Sequence, residues 1–142
     1  MLSKILKDSV GIPKTIGYKI TKGLATLSDE EEACTNPEWA YLFAKYIPGA
    51  NIVKCQEAAC KDPEYAYLFA RDIPGADIGK CCEGACKYPY WAYYFAKDIP
   101  GADIKKCQEG AGKHPRFAYM FARDIPGSNR GLYYANMFTK HT

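Results

Sequence analysis

The sequence predicts an all-α fold, a short right-handed α-solenoid of stacked two-helix repeats. Three observations predict it. Pro37, Pro63, Pro89 and Pro115 stand 26 residues apart. The tripeptide Ile-Pro-Gly recurs at the same interval, beginning at Ile47, Ile73, Ile99 and Ile125. Between these marks the chain reads PEWAYLFAKYIPGAN, PEYAYLFARDIPGAD, PYWAYYFAKDIPGAD and PRFAYMFARDIPGSN. A fixed period of this length marks units too small to bury their own apolar faces, which stack on their neighbours instead.

The N-terminal stretch Met1 to Leu27 holds five lysines against Asp8. Its local charge is therefore +4 in a chain whose total is +3, which leaves the remainder near −1. Leu2, Ile5, Leu6 and Val10 fall at helical spacing, with neither a long apolar run nor a small-residue cleavage site. This argues against a secretory signal and for a basic helix whose apolar stripe covers the open end of the array. A membrane-touching helix and a transit peptide are the competing readings. Gly23 lies 26 residues before Gly49, so Ile12 to Cys34 reads as a degenerate first repeat. Its second helix is expected to start at Ser28, with Glu31 completing a capping box. The chain thus divides into a basic helix and capping repeat over 1–33, a repeat array over 34–128, and a C-terminal capping helix and tail over 129–142.

Each full copy carries two helix signals. Proline suits the first helical turn, and Asn36 and Asp62 before it are good N-caps; Tyr88 and His114 fill the same slot less well. Ala40, Phe43, Ala44 and Ile47 then form an apolar stripe at i, i+3, i+4 and i+7. Pro48-Gly49 and its copies end that helix. Asn51, Asp77, Asp103 and Asn129 follow as caps for a second helix, with Ile52, Cys55 and Ala59 inward and Lys54, Glu57 and Lys61 outward. After Asn129 the small interface residues give way to Tyr133, Tyr134, Met137 and Phe138. These are expected either to fold over the last core or to dock another molecule.

The seven cysteines obey the repeat. Cys55 and Cys60 lie five residues apart, about 140° around one helix, so one faces the preceding repeat and the other the next. This pairs Cys34 with Cys55, Cys60 with Cys81 and Cys86 with Cys107, each 21 residues apart. Cysteines are lost in matched positions too: Gly112 with Tyr133, and Asp8 with Asp29. Paired positions are offset by roughly 7.5 Å along helices about 9 Å apart, outside ordinary disulfide reach unless the repeats tilt. Disulfides and buried reduced thiols both remain readings of these pairs. Cys82 replaces the Gln56 and Gln108 of its sister repeats and is expected to be the unpaired thiol. With no C-x-x-C and no histidine at ligand spacing, no metal site is expected.

No nucleophile elbow, zincin motif, phosphate loop or histidine–carboxylate pair appears, so neither an enzyme nor a cofactor is expected. The net charge is too weak to argue for nucleic acid. Tyr41, Tyr67, Tyr93 and Tyr119 run beside Lys45, Arg71, Lys97 and Arg123, an interleaving that suits single-stranded nucleic acid. Asp72, Asp98 and Asp124 offset those cations, however, and a tyrosine ladder packed between helices is the better reading. No apolar run reaches the ~18 residues a membrane-spanning helix needs.

Departures from the repeat carry the functional signal. Tyr88, Tyr90 and Tyr94 replace Asp62, Glu64 and Leu68 of the preceding copy and share a flank with Tyr93 and Lys97. Exposed tyrosines beside a cation suit a protein-binding hot spot. The repeat core, with the lysine and Gln-Glu-Ala that follow it, resembles short helical repeats of uncharacterised phage and bacterial proteins over roughly Cys34 to Asn129. The resemblance implies a binding module, with a host protein or a virion assembly as its natural target. The leading expectation is a non-enzymatic solenoid binding another protein through the tyrosine flank or through Tyr133, Tyr134 and Phe138. The alternative in a different class is a self-assembling structural subunit whose cysteine pairs stiffen each copy. The cysteines leave the compartment open, an oxidising one or a virion included.

Overall fold

The computed structural model describes residues 15–132, and among them it is all-helical, with no strand. The full repeats begin with ten-residue helices: α3 (Pro37–Tyr46), α5 (Pro63–Asp72), α7 (Pro89–Asp98) and α9 (Pro115–Asp124). Eight-residue helices alternate with them: α4 (Ile52–Ala59), α6 (Ile78–Ala85) and α8 (Ile104–Ala111). The degenerate first repeat is shorter, with α1 (Ile16–Thr21), a 3-10 turn (Leu27–Asp29) and α2 (Glu30–Ala33). The ten-residue helices stack on one another as one layer, and each eight-residue helix packs between two of them.

Local chemistry fixes the boundaries. Asn36 and Asp62 accept the backbone N–H groups of Trp39 (3.1 Å) and Glu64 (2.9 Å). His114 does the same for Arg116 through Nδ1 at 3.2 Å, whereas Tyr88 makes no side-chain cap. Asn51, Asp77 and Asp103 cap the second helices by accepting from Lys54, Lys80 and Lys106. Gly23, Gly49, Gly75, Gly101 and Gly127 all have φ between 73° and 84°, the left-handed turn that reverses the chain. Gly23 shares this conformation with its counterparts in the full repeats. Its cap differs from the expected Ser28–Glu31 box: Thr26 and Asp29 form the box, with Thr26 N–H donating to Asp29 at 2.9 Å. Asp29 reaches that N–H because the segment begins with a 3-10 turn, which places the cap two residues earlier in the chain than Ser28.

The core is one continuous seam. Phe43, Phe69, Phe95 and Phe121 are fully buried in one cluster with small residues such as Ala40, Ala59 and Ala66. A buried phenylalanine of this kind contributes several kcal/mol, since truncation to alanine typically costs about 3–5. Small residues in the second helices let adjacent repeats approach closely. A methyl added at Gly84 or Gly110 would run into the carbonyl oxygen of Cys60 or Cys86.

Candidate functional site

Two ladders join the repeats, one along each layer. In the layer of ten-residue helices, Tyr41, Tyr67 and Tyr93 are buried at 6%, 8% and 2% exposure. Each phenol donates to an aspartate 31 residues on: Tyr41 to Asp72, Tyr67 to Asp98 (2.6 Å) and Tyr93 to Asp124 (2.6 Å). Burial, and then donation to a carboxylate, raise the pKa of all three tyrosines, that of Tyr93 to about 12. The Arg71 guanidinium, together with the Tyr41 hydrogen bond, holds Asp72 below the usual carboxylate range. The ladder therefore packs between helices, and these three rings present no open face on which a base could stack. Tyr119, in the last described repeat, is 50% exposed.

The second ladder follows the eight-residue helices. Gln56, buried although glutamine is usually a surface residue, accepts the Asp77 N–H at 2.7 Å. Gln108 accepts from Asn129 at 2.8 Å and returns a bond to the Asn129 carbonyl at 2.7 Å. Glu30 accepts from Asn51 at 2.6 Å. The three cysteine pairs lie beside these rungs, in the expected register: Cys34–Cys55 at 3.8 Å, Cys60–Cys81 at 3.5 Å and Cys86–Cys107 at 2.8 Å between sulfurs. All seven cysteines are free thiols, and these separations exceed the ~2.05 Å of a disulfide. The sulfurs nevertheless meet across repeats that helix spacing alone placed out of reach. The close approach at Gly84 and Gly110 supplies the missing proximity.

Cys82 differs most from expectation. It is 1% exposed and partnered, with its sulfur 3.2 Å from Cys86 and 3.5 Å from Cys107. Cys82, Cys86 and Cys107 thus form a buried cluster with all three sulfurs within 4.8 Å of one another. Hydrogen bonds from Cys107 and Cys86, the Asp103 N–H and the charge of Lys106 together hold the Cys82 thiol well below its ordinary range. Donation to Cys82 and Cys86, added to burial, pushes Cys107 far up. The sequence signal was a C-x-x-x-C on one helix plus the paired cysteine of the next repeat. It escapes motif rules because the third sulfur is supplied by the repeat period rather than by a local spacing.

The tyrosine flank lies on α7 and continues onto α9. Tyr88 and Tyr90 are 53% and 47% exposed. The Tyr90 ring lies 4.8 Å from Tyr94, 4.8 Å from Trp91 and 5.8 Å from Phe117 of α9. Lys97 sits 5.8 Å above Tyr94, and Arg116 lies 5.9 Å over Phe117. Tyr93 is the exception: buried, it backs Tyr94 edge-on at 4.9 Å instead of presenting a face. Phe117 and Arg116 were missed because they belong to the next repeat. Tyr133, Tyr134 and Phe138, like the basic segment before Thr15, lie outside the described residues.

No helix among the described residues is long and apolar enough to cross a membrane. Compared with protein-family models, curated proteins and solved structures, the chain matches none.

Proposed function

We propose that the protein is a non-enzymatic helical-repeat module that binds another protein through the aromatic patch of α7 and α9. The observation that carries this reading is a local break in the repeat. Tyr88 and Tyr90 stand half-exposed where the preceding copy carries Asp62 and Glu64. A soluble array gains nothing in stability from exposing large aromatics, whereas phenols that pair an apolar ring with a polar tip suit a binding surface. Tyr90 already packs against both Tyr94 and Phe117, so little side-chain freedom is lost on docking. Lys97 and Arg116 at the rim suit a partner segment with apolar anchors and carboxylates. The only histidine in the described part, His114, is engaged as a helix cap.

The test begins with capture from the source cells, followed by direct titration of the recovered partner with purified protein. Y90A/Y94A is expected to weaken binding by about 2 kcal/mol or more, roughly 30-fold. Tyr90 is exposed and Tyr94 half-buried, so the double variant should keep its helical circular dichroism spectrum. Unaltered affinity in the folded double variant would reject this face. A solution mass at twice the monomer, halved by the same variant, would identify the partner as a second copy of the chain.

A further inference from the structure

We propose that Cys82, Cys86 and Cys107 form a three-thiolate site for a soft d10 metal ion, specifically Cu(I). The chain contains its own comparison. The three described junctions carry equivalent positions, separated by four and then by 21 residues. They are Glu30, Cys34 and Cys55 at the first junction, and Gln56, Cys60 and Cys81 at the second. At the second, two sulfurs meet and the Gln56 oxygen lies 3.8 Å from Cys81; at the first, two sulfurs meet while the Glu30 carboxylate accepts the Asn51 N–H. At the third junction the oxygen donor is replaced by Cys82, and three sulfurs converge at 2.8, 3.2 and 3.5 Å. Only there is the donor set entirely sulfur.

The glutamine has a structural duty, which is why its replacement is informative. Gln56 and Gln108 hold the N-cap residue of the next repeat. Cys82 keeps only a weaker version of that bond, the Asp103 N–H directed at its sulfur. Interface stability alone favours glutamine at this position, whereas metal binding favours cysteine.

The chemistry selects the ion. Thiolate-only sites favour Cu(I) and Zn(II) among biological metals. Structural zinc takes four protein ligands in a tetrahedron, and the cluster contains three sulfurs and no histidine or carboxylate. Burial of Cys82, Cys86 and Cys107 at 1%, 6% and 0% leaves little room for a water as the fourth ligand. Three-coordinate Cu(I) needs none. With metal–sulfur bonds of about 2.3 Å, a trigonal site separates its sulfurs by roughly 4 Å. Side-chain rotations that widen the triangle by about an ångström would admit the ion. Binding forms three sulfur–metal bonds and releases to solvent the protons that the thiols carry. Lys106 beside Cys82 offsets the excess negative charge. A groove of about 310 Å3, lined by Cys86, Glu83, Lys87, Lys106, Glu109 and Lys113, provides the approach.

The experiment titrates fully reduced full-length protein with Cu(I) under anaerobic conditions against a chromophoric Cu(I) chelator, and counts retained copper after gel filtration. Wild type is expected to hold one Cu(I) per chain and to melt at a higher temperature when loaded. C82Q restores the residue of the sister repeats, so it should fold normally. It should lose at least about 100-fold in Cu(I) affinity, more than the loss of a supporting outer-shell group. Q56C rebuilds the three-sulfur arrangement at the second junction and should raise the stoichiometry to two. Equal retention by wild type and C82Q would overturn the site. So would a folded wild type that yields all its copper to the chelator. Displacement of Cu(I) by equimolar Zn(II) would overturn the choice of ion.

Discussion

At the scale of single residues, the tyrosine rungs tie the fold to pH. The Tyr93 pKa moves from 10.0 to about 12, first through burial and then through donation to Asp124, with Tyr94 adding to the rise and Arg123 opposing it. A group whose pKa is higher in the folded state stabilises below its unfolded value and loses that contribution as pH climbs through the folded one. Stability should therefore fall between pH 10 and about 12, with Tyr41 and Tyr67 contributing to the same limb and Cys55 adding a loss that starts at pH 9.0 and ends near 12. Y93F should remove part of that limb and lower stability at neutral pH by about 1 kcal/mol, the net worth of one hydrogen bond. Urea melts across the alkaline range would measure both effects. An unchanged alkaline limb in Y93F would show that the rung does not bear on stability.

At the scale of elements, the approach of the short helices controls the sulfur contacts. Ala58 occupies in α4 the place of Gly84 and Gly110, and its junction has the widest sulfur separation, 3.8 Å. G110A should push α8 away from the Cys86 carbonyl and cost about 1–3 kcal/mol, the usual range for overpacking. Thermal melting would measure the cost, and Cu(I) affinity should fall with it. The same elements show what was readable in advance. Helix starts, the glycine turns and the cysteine register follow from rules that act within one helix or one period, and so they were legible. The buried Gln56 and the Tyr–Asp rungs were not. A helical wheel tells which way Tyr67 points, but not that Asp98, 31 residues away, lies opposite it. By sequence alone the aspartates pair with the adjacent cations. That holds for Arg71–Asp72 (2.7 Å) and Arg123–Asp124 (2.6 Å), but they also accept from a phenol one repeat back.

At the scale of the whole molecule, rungs at constant separations of 21 and 31 residues make the copies interchangeable. Excision of residues 63–88 would bring Asp62 directly before Pro89, Tyr41 opposite Asp98, Gln56 opposite Asp103 and Cys60 opposite Cys107. The shortened chain should remain helical by circular dichroism and melt at a lower temperature. It should bind no Cu(I) tightly, having lost Cys82 and Cys86. A coil-like spectrum would show that the copies are not equivalent. One junction already departs from equivalence: Thr15 stands where the ladder has tyrosine, and Tyr46 where it has aspartate. The first unit therefore rests on the second without a phenol–carboxylate rung, held by Glu30 and by the Lys54–Glu31 pair at 3.8 Å. Under tension between its ends the protein has a built-in weak link. The segment from Ile16 to Cys34 should peel away first at low force, before the remaining units yield at a higher one.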